Sequence, residues 1–176
     1  MRRLITLLTA LFVLASGAII TSTAAHAETY PQLERRIERN YGVPVNWVTR
    51  TPCGTTRGDG FWACYTRHYV WSKTKRDWVL KGEINVAGSR ATANRYPTMA
   101  RTVLYHELGH HKSYRKCPNG FSTRGRNKEA VTTAYAVLYT RLTAHDARTW
   151  LNSASGRYYT SADLRVAKKI HARNCF

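Results

Sequence analysis

Acidic side chains are scarce: 10 Asp and Glu stand against 28 Lys and Arg in 176 residues, a formal charge of +18 at neutral pH. That imbalance gives a basic surface that attracts anionic partners. Proline and glycine, at 5 and 11 residues, are too few for a collagen-like or low-complexity chain. Beyond the N-terminal segment no apolar run is long enough to cross a bilayer, which excludes a multi-pass membrane protein. No C-x2-C pair occurs among the 4 cysteines, which argues against a zinc site made of four thiolates. What is present, 43% hydrophobic and 11% aromatic residues, supports one ordinary core and no second domain.

The N-terminus reads as an address. Met1-Arg2-Arg3 precedes an apolar run from Leu4 to Ile20, and Ala25-His26-Ala27 supplies the small-residue pattern at which a secretory signal peptide is cut. The run is broken by Thr6, Thr9, Ser16 and Gly17 and falls short of the about 20 residues a spanning anchor needs. Cleavage after Ala27 is expected, leaving Glu28–Phe176 as a single secreted, monomeric domain with no membrane span. In an oxidising compartment Cys53, Cys64, Cys117 and Cys175 read as two disulfides. Of the three connectivities, Cys53–Cys64 and Cys117–Cys175 are expected, the first closing a loop with Gly54, Gly58 and Gly60 and the second tying down the C-terminus. Loop-closure entropy assigns them about 3 and about 4 kcal/mol.

Hydrophobic periodicity predicts a helix over Tyr30–Asn40, ended by Gly42 and Pro44. Between Trp47 and Val86 the pattern changes to aromatic and β-branched runs, Phe61–Trp71 and Trp78–Val86, around the polar turn 72–77, which predicts a hairpin or small antiparallel sheet. Residues 88–96 read as a loop. A helix follows over Pro97–Lys112, with Met99, Ala100, Val103, Leu104 and Leu108 inward. After a loop over 113–126, a second helix covers roughly 128–142 with Asn127 as its cap. Two short helices then open with Thr143 and Asp146 and with Thr160 and Asp163. The fold class is therefore α+β: an N-terminal helix, a small sheet, and helices to the end.

Within the helix over 97–112 stands His106-Glu107-Leu108-Gly109-His110. Two histidines one turn apart share a helix face and can grip one metal ion, while Glu107 sits about 100° round and reaches a water without ligating the ion. Neutral imidazoles suit zinc, which acidifies water and polarises a carbonyl under attack. Glu107 is then the candidate general base, passing the proton to the leaving amine. A catalytic zinc takes three protein ligands and an open position. Glu129, in the first turn of the next helix, is the leading third ligand, its alternative role being to complement the helix dipole. His145 and Asp146 come next, Asp146 already having a capping task, while His171 in the basic last helix reads as a surface residue. His111 points off the metal face and is expected to be solvated.

With Glu129 following it, the His106–His110 motif resembles the gluzincin type of zincin metallopeptidase, in a small secreted bacterial form. The resemblance implies a compact zincin-like domain with one zinc ion held by His106, His110 and Glu129, Glu107 as the base, and protein or peptide as substrate. The metzincin branch is excluded, because Ser113 and Lys116 occupy the positions of its Gly and third His. Many gluzincins place an Asp four residues after the glutamate; here Thr133 stands there, so any contact to a ligand histidine is a hydroxyl bond. Zincins also use the strand before the motif helix as an edge that pairs with extended substrate. Glu83–Val86 is the candidate, an inner strand being the alternative.

No residue for stabilising the tetrahedral intermediate is assignable; Tyr135, Tyr139, His145, Tyr158, Tyr159 and His171 are the candidates. The expected activity is secreted, zinc-dependent endopeptidase action. The rival is a non-catalytic basic protein that binds an anionic cell-envelope polymer on the same scaffold, with nucleic acid a less favoured partner. A zinc hydrolase acting on something other than peptides shares the site.

Overall fold

Helix α1 (Tyr30–Tyr41) starts where Gln32 reaches back to the Thr29 N–H at 2.8 Å, and it stops at Gly42, whose φ of 65° suits glycine. The computed structural model describes residues 28–54, 62–155 and 158–176. The leader over 1–27 and the glycines 58 and 60 lie outside the described residues. The other elements are β1 (Val45–Val48), β2 (Trp62–Ser72), β3 (Asp77–Ala87), α2 (Arg90–Arg95), α3 (Pro97–Lys116), α4 (Lys128–Tyr139), α5 (Ala144–Ser155) and α6 (Ser161–His171). This is an α+β domain. No helix among the described residues is long and apolar enough to cross a membrane.

Strands β2 and β3 form the expected antiparallel hairpin, closing at the Trp71–Trp78 and Ser72–Asp77 pairs. The sheet itself is mixed rather than antiparallel. β1 joins it parallel to β3, with Val45 opposite Ile84, giving the order β1-β3-β2. Its four residues show no readable period, and what holds them is remote: the Ile84 N–H donates to the Pro44 carbonyl at 2.9 Å, and Val43 and Val45 are buried. Residues 90–95, expected as loop, form the one-turn helix α2 because the Ser89 hydroxyl accepts the Thr92 N–H at 3.0 Å.

Helix α3 is the axis of the molecule. It runs one turn past the expected Lys112 because nothing breaks it before Pro118, and it packs against β2, β3 and every other helix. Leu33, Ile37, Ile84, Val86, Leu104 and Leu108 make the main core between α1, the sheet and α3. Fully burying each aliphatic chain stabilises by about 1.5–3 kcal/mol. A second core, with Val131, Tyr135, Val166 and Ile170, joins α4 to α6. The Cys117–Cys175 disulfide, Cα atoms 5.8 Å apart, closes that second core, and Cys53–Cys64 bridges the chain before β2 to β2 itself. Both pairings are the expected ones.

Candidate metal centre

His106 and His110 lie on the face of α3 that meets α4, and both are buried. Two features bring the opposite helix close. Gly109 sits at the crossing, where a Cβ would fall 2.9 Å from the Ala136 Cβ and 3.1 Å from the Thr132 carbonyl. Asn127 caps α4, its Oδ1 accepting the Glu129 N–H at 2.8 Å and so fixing the first turn from which Glu129 projects. The result is convergence: Glu129 Oε2 lies 3.0 Å from His106 Nε2 and 3.2 Å from His110 Nε2. Among the described residues these three offer donor atoms all within 4.8 Å of one another, a group that can hold a metal ion.

The outer nitrogens are held as well. The Thr133 hydroxyl donates to the Glu129 carbonyl at 3.0 Å, so its oxygen is free to accept the His106 Nδ1–H at 3.1 Å. Thr132 Oγ1 lies 3.2 Å from His110 Nδ1. With Nδ1 of each ring held by a hydroxyl, an imidazole that gives up its Nε2 proton would turn that lone pair to a metal ion at the common point, the state a ligand imidazole needs. Burial opposes ionisation of the half-buried Glu129, yet the hydrogen bonds from His106 and His110 outweigh it and hold this carboxyl well below the usual range. Two imidazole nitrogens and one ionised carboxylate oxygen form a donor set suited to zinc, so the residues present fit the ion.

Glu107 is buried beside this group without joining it; its Oε2 accepts the Tyr65 N–H at 2.9 Å. Tyr65 belongs to β2, the edge strand on the α3 side, so the sheet holds the carboxylate through its backbone. The Tyr65 ring stacks on His110 at 6.4 Å and on Tyr114 at 6.2 Å, and its hydroxyl lies over Gly82, where a Cβ would collide with it. Burial pushes this phenol up to about 12, so it stays neutral.

Other expected positions differ. His111 is not solvated: it is buried, Tyr65 Oη lies 3.3 Å from its Nδ1, and its pKa falls to about 4 through burial first and the charges of Arg115 and Lys112 second. Glu83–Val86 lies in β3, the middle strand, so it is an inner strand and the edge strand beside α3 is β2. His145 is exposed, and Asp146 is engaged by Arg101 at 3.4 Å. His171 is half-buried rather than a surface residue, stacked on Tyr139 at 3.7 Å with Nδ1 3.1 Å from the Tyr135 hydroxyl. Tyr158 is exposed, and Tyr159 packs against both cores. None of these residues joins the donor group. Thr132, Tyr65 and the packing role of Gly109 escaped the sequence reading; Thr132 alone had a signal, its position one turn after Glu129. No protein-family model, curated protein or solved structure matches this chain.

Proposed function

We propose that the chain is an exported zinc-dependent endopeptidase. The observation that carries the reading is the meeting of His106 Nε2, His110 Nε2 and Glu129 Oε2 while both Nδ1 atoms are held by threonine hydroxyls. His106, His110 and Glu129 would hold the ion, which when bound supplies Lewis acidity to water and to the carbonyl under attack. Thr133, whose own proton goes to the Glu129 carbonyl, would keep His106 in the ligating tautomer, and Thr132 orients the His110 ring. Glu107, braced by the Tyr65 N–H, takes a proton from the attacking water and delivers it to the leaving amine. Its burial keeps bulk water from competing for that proton. Export is supported by the apolar leader with its Ala25-His26-Ala27 site and by two disulfides, which persist in oxidising compartments.

The test combines zinc content with hydrolysis of an unfolded protein substrate. Wild type is expected to carry stoichiometric zinc and Glu129→Ala to lose it. Glu107→Gln is expected to keep the ion and lose about 10²–10⁴-fold in rate. Zinc-free wild type, or full activity in Glu107→Gln, rejects the proposal. A metal-free, inactive protein that still binds anionic polymers would favour the rival reading.

A further inference from the structure

The outer half of the β2–β3 hairpin has no counterpart in the chemistry above. β1 covers β3 only from Ile84 to Ala87, so beyond it β2 and β3 run on as a two-stranded ribbon to the turn at 72–77, tied to the loop after α3 where Arg67 and Tyr69 both donate to the Pro118 carbonyl. From Arg67 to Trp71 every residue of β2 is exposed. Trp71 and Trp78 face each other across the last rungs, ring centres 5.9 Å apart, and are 49% and 60% exposed. Tyr69 shares their face, while Val70, 40% exposed, lies on the other. Large apolar side chains left in water at one tip mark an interaction surface. Lys73, Lys75 and Arg76 crown the turn, with Asp77 the only acid there. Behind them a cleft of about 430 Å³ opens between the ribbon, the end of α1 and α3, lined by Trp71, Leu80, Tyr41, Lys75, Lys81 and Arg115.

We infer that this ribbon docks on an anionic phospholipid surface, its tip entering the headgroup layer. Two observations select a bilayer over a linear polyanion. Apolar groups ring the tip on both faces, and a polymer strand covers one face only, whereas an interfacial layer surrounds the tip. Indole and phenol rings also prefer the depth at which lipid headgroups meet acyl chains. The turn cations then lie level with the phosphates, and Lys75 and Arg115 are among the residues that line the headgroup-sized cleft. The proposal is independent of the metal centre.

The experiment is co-sedimentation of the protein, as its host produces it, with vesicles of phosphatidylcholine alone and of phosphatidylcholine mixed with phosphatidylglycerol. Comparing variants that share one N-terminus isolates the ribbon. Wild type is expected to pellet with the mixed vesicles, and to do so less as salt rises. Trp71→Ser with Trp78→Ser is expected to weaken binding at least about tenfold, and Lys73→Gln, Lys75→Gln and Arg76→Gln together about 100-fold. Vesicles of brominated lipid should quench wild-type tryptophan fluorescence, a readout that needs no variant. Failure to pellet, equal binding to both vesicles, or absence of quenching overturns the proposal. So does a loss confined to the cationic variant, which together with capture on soluble polyphosphate would assign the surface to a polymer.

Discussion

The α3–α4 contact and the β2–β3 tip depart from the inside-outside rule in opposite senses. At the helix pair, ionisable and hydroxyl side chains are taken out of water: His106, Glu107, His110, Thr132 and Thr133 are all buried. At the tip, two tryptophans, a tyrosine and a valine are left in it. The first costs desolvation and the second forgoes burial, so neither arrangement is what folding alone favours. The helix pair offsets its cost by giving each polar side chain a partner: Nε2 of both imidazoles faces the Glu129 carboxylate, and each Nδ1 faces a threonine hydroxyl. At the tip the fold sets only the Trp71–Trp78 edge contact and the Tyr69 hydroxyl bond to the Pro118 carbonyl against the exposure, among the described residues. A closed polar network reads as a site complete in itself; an open apolar tip reads as half of an interface.

Substitutions sharpen this contrast. Gly109→Ala drives a methyl group into Ala136 and the Thr132 carbonyl, and is expected to cost about 1–3 kcal/mol in thermal unfolding. Thr132→Val with Thr133→Val preserves shape and removes both Nδ1 partners. Metal affinity, read by competition with a chromogenic chelator, is expected to fall about 10–100-fold with little change in fold.

A milder effect sits at the start of α6. Burial pushes Asp163 up, but hydrogen bonds from Arg126 and Thr160 outweigh it and leave its folded pKa depressed. Its contribution is therefore present above the unfolded value of about 3.9 and is lost as pH falls through the folded value. Asp163→Asn is expected to cost about 1 kcal/mol at pH near 7 and to match wild type in strong acid, as measured by denaturant titration at each pH. The smallest effect belongs to the ribbon: Val70→Thr should shift folding stability by no more than about 0.5 kcal/mol, by the same titration. A large loss there would mean the tip is structural, and the contrast would break.

Much of the helix pair was legible in the chain because its information is local. His106 and His110 are one turn apart, Glu129 follows a capping Asn127, and Thr133 stands one turn after Glu129, so helical spacing alone sets them on common faces. The hairpin and the Cys53–Cys64 bridge, eleven residues apart, were legible for the same reason, and with four cysteines the first pair sets the second. What escaped depends on partners far along the chain. The four residues of β1 become a strand only by pairing with β3, some forty residues on. The group that holds Glu107 is a backbone N–H, and every residue but proline has one, so no letter in the sequence marks Tyr65. His111 was misplaced because α3 is enclosed on several sides, and a helix wheel assumes one wet face.

The donor set is divided between two helices, His106 and His110 on one and Glu129 on the other, so neither helix carries a site by itself. On the proposed function, capture of an ion and closure of the helix pair would be one equilibrium viewed from two ends: whatever tightened one would tighten the other. The supply of free ion around the molecule would thereby become a quantity on which its lifetime as a folded body depended.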